Sequence, residues 1–349
     1  MRLGLNLGYW GMGHDADNLS LATEAEALGY SVVWAAEAHG SDAATVLAYL
    51  AARTERIDLG SGIMQIPART PAMTAMTAAT LDILSGGRFR LGLGISGPQV
   101  SEGWHGVRFD KPLARTREYV NIVQLALTRQ QVRYDGEAYV LPLPDGPGKA
   151  LTLTVLPARE RIPVYLAAVG PRNLELAGEI ADGWLGIFVS PGSAGEQLAH
   201  IDTGLHRSGR DRRDFDVVAG MPLVMGDDPV ACADPVRPYV ALYVGGVDSG
   251  QGSFYHALAT RMGYGDAADA CRNLYVRREY EAAAAALPTQ FIDSTSLLGP
   301  VPRIAEKLAV LAERGVTTVS VSPQARSLPD RIAALRGAAE ALAQSGVGG

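Results

Sequence analysis

The sequence predicts a single (β/α)8 barrel, in which eight parallel strands alternate with helices. Short apolar runs recur along the 349 residues, each followed by a stretch with helical periodicity, and there are eight such runs. Several of them consist almost entirely of Val, Ile, Leu, Ala and Gly, as expected of strands that are buried on both faces. Because barrels with insertions reach this length as one unit, we expect a single domain over residues 1–349.

The boundaries of these elements follow from local signals. Pro71 directly after Thr70 predicts the start of a helix, and Gly29, Gly87 and Gly315 predict helix ends. The eight predicted strands cover residues 3–7, 31–36, 57–63, 89–94, 163–168, 184–189, 216–224 and 317–321.

Two segments are longer than ordinary barrel loops. Residues 130–160 contain Asp135-Gly136 between β-prone flanks, which predicts a hairpin laid over the barrel rather than a ninth barrel strand. Residues 226–290 are helical by composition, including the alanine-rich 279–287, and predict a lid or side subdomain after the seventh strand. Long ordered insertions of this kind are often functional.

Composition and charge exclude several classes of protein. The net charge is −6 without a long Lys/Arg run, so we expect small-molecule partners and no nucleic acid. The two cysteines, Cys232 and Cys271, cannot form a disulfide framework and lack metal-ligand spacing, so we expect no metal. The apolar stretch at the N-terminus is too short for a signal peptide or membrane span, which predicts a cytoplasmic protein without a membrane partner.

Motifs for hydrolytic, zinc-peptidase and P-loop chemistry are missing. The sequence contains no HExxH and no Walker loop, and no Ser-His-Asp arrangement is apparent. Titratable residues are also few at the predicted strand ends, so we expect a bound cofactor to carry the chemistry.

A glycine motif follows the fourth predicted strand. Gly92, Gly94 and Gly97 have the G-x-G-x-x-G spacing of a dinucleotide fingerprint, which requires a helix that begins at the third glycine. Pro98 and a mixed segment follow instead, and the next periodic helix is predicted near Leu113, so we reject this reading. In a barrel the same glycines either let a ligand approach the mouth or only make a turn.

Two further backbone features point to a ligand at the mouth. The fifth strand passes through Gly170-Pro171 directly into a helix, whose N-terminus beside Arg172 suits a phosphate, although an ordinary turn would look the same. On the third strand, Ser61-Gly62-Ile63 interrupts an apolar run and indicates either a bulge near a ligand or barrel curvature.

Side chains at the predicted mouth include candidates for proton transfer. Glu37 and His39 follow the second strand and point to the same side by alternation, although such a glutamate is often a structural acceptor for loop amides, and a single histidine is commonly a hydrogen-bonded loop residue. The first strand is followed by a side-chain amide and two aromatic rings, which are Asn6, Tyr9 and Trp10. These side chains either pack around the planar ring of a ligand or only cap the barrel. Glu102 and His105 could also reach the pocket, but a short helix is the simpler prediction there.

Six segments together resemble the luciferase-like monooxygenase family, especially its actinobacterial branch that depends on the deazaflavin coenzyme F420. The resemblance covers essentially the whole chain and implies a barrel of the bacterial-luciferase type. The segments are LGLNLGYWG, VWAAEAHGSDA, RIDLGSGIMQIPARTP, LDILSGGRFRLGLGISGPQVSEGWHG, KPLARTREYV and IPVYLAAVGPRNLELAGEIADGW.

The resemblance implies a site in which three motifs bind one cofactor. The ring would lie against a bulge with a non-prolyl cis peptide, here Gly62-Ile63, near Asn6. The phosphate would be held by Gly170, Pro171 and Arg172, and the cofactor tail by Gly94, Ser96, Gly97 and Val100. A homodimer formed through barrel helices is also implied.

The chain departs from the family at its usual proton donors. Ala38 replaces the histidine that some members carry after the second-strand glutamate, and Ser96-Gly97 replaces an acid on the fourth-strand loop. The remaining candidates for the catalytic groups are Glu37, His39 and Trp10, with Gln65 as a further pocket residue, unless water or substrate supplies the proton.

We therefore expect a reductase in which reduced coenzyme F420 delivers hydride to an activated C=C, C=N or C=O of a small molecule, while the protein orients the reactants and stabilises the developing anion. The alternatives are an FMN-dependent monooxygenase on the same fold and an F420-binding protein without turnover.

Overall fold

The computed structural model describes residues 1–11, 15–247 and 253–348. In this part of the chain, eight parallel strands close into a barrel, in the ring order β1, β2, β3, β5, β8, β9, β10, β12 and back to β1. The predicted (β/α)8 barrel is therefore confirmed. The barrel strands are β1 (Arg2–Asn6), β2 (Val32–Ala35), β3 (Asp58–Ser61), β5 (Phe89–Gly94), β8 (Val164–Ala167), β9 (Gly183–Ile187), β10 (Asp216–Met225) and β12 (Thr318–Pro323).

Four short strands lie outside this ring. Strand β4 (Met64–Gln65) pairs with β5, β6 (Tyr134–Asp135) pairs with β7 (Val140–Leu141), and β11 (Leu297–Gly299) pairs with the end of β10. Helices fill the connections: α1 (Asp15–Ala27), α2 (Ala43–Ala51), α3 (Pro71–Leu84), α4 (Pro98–Ser101), α5 (Pro112–Leu127), α6 (Pro171–Ile180), α7 (Ala194–Ser208), α8 (Arg237–Ala241), α9 (Phe254–Ala259), α10 (Gly265–Val276), α11 (Tyr280–Ala285), α12 (Thr289–Ser294), α13 (Val301–Glu313) and α14 (Leu328–Ser345).

The helix boundaries follow the predicted signals. Thr70 caps α3 by accepting a hydrogen bond from the Met73 amide, and Pro71 is the first helical residue. The glycines predicted at helix ends, Gly29, Gly87 and Gly315, all have positive φ, the conformation that favours glycine.

One helix contradicts the expectation for the glycine motif. Helix α4 begins immediately after Gly97, whereas a short helix was expected only around Glu102 and the next periodic helix near Leu113. Gly97 is extended and Pro98 occupies the first helical position, which is sufficient to start a helix. Since α4 has only four residues, it has no apolar periodicity for a sequence pattern to detect.

The segment 130–160 contains the antiparallel pair β6–β7, which is separate from the barrel sheet. This hairpin lies against α5, where the carboxylate of Glu118 accepts hydrogen bonds from the backbone amides of Glu137, Ala138 and Tyr139 at 2.8 to 3.0 Å. A buried carboxylate therefore fixes the turn to α5.

The connection from β10 to β11 contains α8 to α12, which form their own apolar cluster. This cluster packs against Val169, Ile187 and Val224, which lie at or directly after the carboxyl ends of β8, β9 and β10. The helices consequently cover one side of the barrel mouth, the end where barrel enzymes bind their ligands.

Candidate active site

The mouth of the barrel is lined by small side chains. Gly94 and Ala167 are neighbours on β5 and β8, and a Cβ placed on Gly94 would lie 3.6 Å from that of Ala167. Ala167 is exposed although it belongs to a strand paired on both sides. Since Ala167 is the last residue of β8, its exposure indicates open space at the mouth of the barrel.

The third strand is interrupted where the sequence predicted a bulge. The Gly62-Ile63 peptide is cis, as the resemblance implied, and the strand resumes as β4 at Met64. Gly62 donates a hydrogen bond to the Ala35 carbonyl at 2.8 Å, which ties the bulge to β2.

Two glycines of the motif lie against the bulge. A side chain on Gly92 would overlap the Ser61 carbonyl oxygen, and one on Gly94 would lie 2.9 Å from the Ile63 side chain. The Ser61 hydroxyl also bonds the Gly92 carbonyl and amide at 2.8 and 2.9 Å. Gly92 therefore permits close packing between β3 and β5, and contact of a ligand with Gly94 stays a prediction.

Glu37 lies at the mouth, but its carboxylate is already occupied. Both oxygens bind the Arg69 guanidinium, at 2.5 and 2.8 Å, and they also accept hydrogen bonds from the amides of Ala43 and Gln65. Arg69 additionally pairs with Asp42. Although burial lowers it, the pKa of Arg69 is raised overall by the carboxylates of Glu37 and Asp42, so the ion pair persists across the neutral range.

These contacts correspond to the structural alternative for Glu37, an acceptor for loop amides. The Glu37 side chain is only 7% exposed. Glu37 connects the loop after β2 with the bulge, because it accepts hydrogen bonds from the amides of Ala43, the first residue of α2, and Gln65 of β4.

A chain of polar side chains runs along the other edge of the bulge. Gln65, which is 1% exposed, donates to the Ser96 hydroxyl at 2.7 Å, and its carbonyl lies 3.1 Å from His105 Nε2. Ser96 has a φ of +60°, a conformation in which a non-glycine residue is strained. Gln65 therefore joins the bulge to the loop that follows β5.

His105 lies at the end of this chain of polar side chains. Its backbone amide donates to the Val100 carbonyl at 3.0 Å, so the turn after α4 brings it back toward Gln65. The sequence indicated that His105 could reach the pocket but favoured a short helix there. Its contact with Gln65 was not predicted, because the two residues lie 40 positions apart.

The residues at the rim of the barrel mouth differ in the contacts that they make with the rest of the protein. Asn6 accepts a hydrogen bond from the Gly8 amide at 2.9 Å and so shapes the loop after β1. The Trp10 amide is bonded to the Ser41 hydroxyl, and its ring meets Tyr49 edge to face at 5.8 Å. His39 is exposed.

Gly170, Pro171 and Arg172 form the start of α6. Gly170 is the N-cap residue and has an ordinary extended conformation, with nothing within 4 Å of the position of a Cβ. Pro171 is the first helical residue, and the exposed Arg172 makes no ion pair within the described residues. Free amides, a helix N-terminus and an unpaired guanidinium together suit an anion.

A cavity of about 670 Å³ begins at this helix end. Its wall includes Pro171, the loop before α7 and the guanidinium groups of Arg261 and Arg303. Lys307 lies in the same wall, and burial lowers its pKa to about 8. Asp293, in the same wall, pairs with Arg303 at 2.9 Å, and Glu196 and Glu306 also line the cavity.

Within residues 1–11, 15–247 and 253–348, no group of three or more His, Cys, Asp or Glu side chains could hold a metal ion. None of the helices in those ranges is long and apolar enough to cross a membrane.

Comparison with known proteins places the chain among relatives of similar length. A Mycobacterium tuberculosis protein (Rv3520c), provisionally described as a coenzyme F420-dependent oxidoreductase, is 43% identical over 329 residues, which cover 92% of this chain and 95% of the relative. The 5,10-methylenetetrahydromethanopterin reductase of Archaeoglobus fulgidus is 29% identical over 84% of this chain and 86% of its own length.

A solved structure shares the same architecture. The coenzyme F420-dependent tetrahydromethanopterin reductase from Methanopyrus kandleri superposes with a TM-score of 0.79 at 25% identity, covering 96% of this chain and 97% of that one. The sequence profile described as luciferase-like monooxygenase matches residues 11–318. The chain therefore belongs to the luciferase-like monooxygenase family.

Proposed function

We propose that the protein is a coenzyme F420-dependent oxidoreductase that reduces an activated C=C, C=N or C=O bond of a small molecule. The observation that carries this proposal is the 43% identity, over almost the whole of both chains, to a relative described by that activity. The 29% identity to the methylenetetrahydromethanopterin reductase of Archaeoglobus fulgidus, again over most of both chains, supports reduction as the direction of the reaction.

The residues at the mouth fit a deazaflavin with a phosphorylated side chain. The exposed Ala167 and the neighbouring Gly94 leave room for a planar ring beside the Gly62-Ile63 bulge. The open space at Gly170 and the unpaired Arg172 suit its phosphate. We assign the remaining cofactor contacts to Asn6, Gln65, Ser96, Gly97, Val100 and Pro171.

When bound, such a cofactor supplies a hydride from its ring. The protein's part is to hold the ring and substrate in one orientation and to exclude water. Glu37 and Arg69 fix the bulge from one side, and the Gln65–Ser96 hydrogen bond fixes it from the other. A bulge held from both sides gives the ring a rigid support.

The proton that completes the reduction needs a separate source. Glu37 is committed to Arg69 and two amides, so its catalytic role would be to position the loop after β2 rather than to transfer a proton. His39 remains a candidate because it is exposed at the rim, and Trp10 would shield the site from water.

An FMN-dependent monooxygenase is the rival on the same fold, and oxygen uptake distinguishes the two. We expect no oxygen consumption above background when reduced FMN is supplied, and anaerobic oxidation of reduced F420 when enones, imines and ketones are offered. Oxygen consumption that depends on the protein and reduced FMN, with no oxidation of F420, would overturn the proposal.

We further propose a cytoplasmic homodimer with a single domain, in which helices α8 to α12 act as a lid. Helix α3 supports the dimer because it exposes four large apolar side chains, which are Met73, Met76, Ile83 and Leu84. Patches of this kind mark protein interfaces. The packing of the lid helices on the strand ends of β8, β9 and β10 supports their role at the mouth.

A further inference from the structure

A cluster of tyrosines lies in the lid. Tyr239 and Tyr243, from α8 and the turn after it, are 4.9 Å apart between ring centroids, and Tyr255 of α9 is also 4.9 Å from Tyr243. All three rings contact Phe188, the residue directly after β9, at 5.7 to 6.0 Å. Phe188 has a φ of +56°, which is rare for an aromatic residue and ends β9 abruptly at the cluster.

A fourth tyrosine lies close to the cluster but comes from outside the lid. Tyr9 follows β1, and its ring is held against Gly40, where a Cβ would lie 3.2 Å away. Tyr9 is close enough to contribute to the raised pKa values of Tyr239, Tyr243 and Tyr255. We call these four residues the phenol cluster.

The ring order of the barrel places the phenol cluster across the mouth from the bulge. Strand β10 lies four strands from β3 in either direction around the closed barrel. The lid that follows β10 therefore faces the Gly62-Ile63 bulge after β3. A planar ring against the bulge would turn its other face toward the phenols.

The hydroxyl groups of the cluster are uncommitted. Within the described residues none of the four hydroxyl groups makes a hydrogen bond, and all four side chains are half-buried. Burial raises the pKa of all four, that of Tyr243 to about 12, so each remains a neutral hydrogen-bond donor at neutral pH.

Among the described residues, no charged side chain affects the cluster. Apart from burial, the groups there that shift the pKa values of Tyr239, Tyr243 and Tyr255 are other tyrosines. Since no lysine, arginine or histidine in the described part of the chain contributes, a carboxylate or phosphate would find no counter-charge from these residues. The cluster therefore favours an uncharged ligand with an exposed acceptor oxygen.

We propose that the phenol cluster is the substrate site and that it binds an uncharged, planar conjugated ketone whose oxygen accepts hydrogen bonds from the tyrosine hydroxyls. This inference rests on the proposed function. When bound, reduced F420 would supply a hydride to the carbon β to the carbonyl, and the C=C π pair would then move so that negative charge develops on the oxygen. The phenols stabilise that oxygen, and the α-carbon then takes a proton from a phenol, which water reprotonates.

The probe for this proposal is benzylideneacetone, isotope-labelled at its carbonyl carbon, bound to the protein with oxidised F420 so that no turnover occurs. Its affinity and its carbonyl stretching frequency are measured for the wild type and for Tyr239→Phe, Tyr243→Phe and Tyr255→Phe. Tyr280→Phe removes an exposed phenol elsewhere in the lid and is the matched control. Cinnamate offers the same skeleton with a carboxylate.

We expect at least one of the three variants to weaken binding roughly 3- to 10-fold, the effect of one hydrogen bond, and to raise the carbonyl frequency. Tyr280→Phe should change neither, and cinnamate should bind more weakly than the ketone. The substrate proposal is overturned if F420 binds normally but the ketone does not, or if affinity and frequency are the same in all variants. Failure of the wild type to bind F420 would instead overturn the proposed function.

Discussion

At the scale of single residues, the mouth contains side chains that are committed to protein contacts and side chains that are free to meet a ligand. Glu37 belongs to the first group because Arg69 and two backbone amides occupy its carboxylate. Arg172 and the phenol hydroxyls belong to the second group within the described residues. This division separates residues that stabilise the site from residues that bind a ligand.

Replacing Glu37 tests that division. We expect Glu37→Gln to lower the free energy of unfolding by about 2 kcal/mol, because it leaves the nearly buried Arg69 without its main partner. Urea unfolding measures the loss, and Glu55→Gln on the surface is the control. A variant of unchanged stability that has lost all hydride transfer would show instead that Glu37 is a proton donor.

The sequence was informative about residues with a local backbone signal. Glycine marks the bulge at Gly62, where a side chain would crowd Trp34, and Pro171 marks the start of α6, because proline fits the first position of a helix. The contacts of Glu37 with Arg69 and of Gln65 with His105 span 32 and 40 residues. Pairings at that separation depend on the closed barrel and leave no mark in a single sequence.

At the scale of secondary-structure elements, the N-terminus of α6 is the part of the site that a small substitution tests best. We expect Gly170→Ala to fold normally, because nothing lies within 4 Å of the new methyl group, but to bind F420 at least about tenfold more weakly through intrusion into the phosphate position. Gly195→Ala, at the start of α7, has the same free space and should not change affinity. Unchanged F420 affinity in Gly170→Ala would contradict the assignment of the phosphate.

An ion pair between α5 and α6 predicts how the stability of the fold depends on pH. Arg117 of α5 binds both carboxylate oxygens of Glu179, at 2.6 and 2.8 Å, and its hydrogen bonds lower the pKa of Glu179. A carboxyl group whose pKa is lowered by folding stabilises the folded state when the pH is above the pKa of that group in the unfolded chain. This contribution is lost as the pH falls through the folded-state pKa.

Glu179→Gln should therefore be less stable than the wild type by about 0.5 kcal/mol at neutral pH, since Arg117 is 41% exposed and solvent screens the pair. Once the pH falls below the folded-state pKa of Glu179, the carboxylate is protonated in both states and the two proteins should become equally stable. Thermal unfolding over a series from neutral to acidic pH measures this, with Glu313→Gln as control. A difference that persists in acid would rule out the ion pair as its cause.

The strand boundaries illustrate what periodicity can and cannot predict. The fourth strand was predicted at its observed limits, whereas the sixth was extended through Val189 although Phe188 leaves the strand with positive φ. The backbone turns there to place an aromatic ring in the lid cluster, a tertiary contact that overrides the β-propensity of Phe and Val.

At the scale of the whole molecule, the exposed face of α3 predicts the assembly. We expect Met76→Glu to convert a homodimer to a monomer, because it places a charge in the centre of an apolar interface. Val276→Glu changes an equally apolar and more exposed residue on α10 and should leave the dimer intact. Sedimentation equilibrium distinguishes these outcomes, and a wild-type monomer would contradict the proposed interface.

The barrel, its bulge and the lid together form one proposed site for a deazaflavin, and parallel titration with oxidised F420 and FMN tests it most directly. Quenching of intrinsic tryptophan fluorescence reports binding, since Trp10 and Trp34 lie near the mouth. We predict micromolar or tighter affinity for F420 and much weaker affinity for FMN. Tight binding of FMN with none of F420 would contradict the account and make the monooxygenase the better description of the protein.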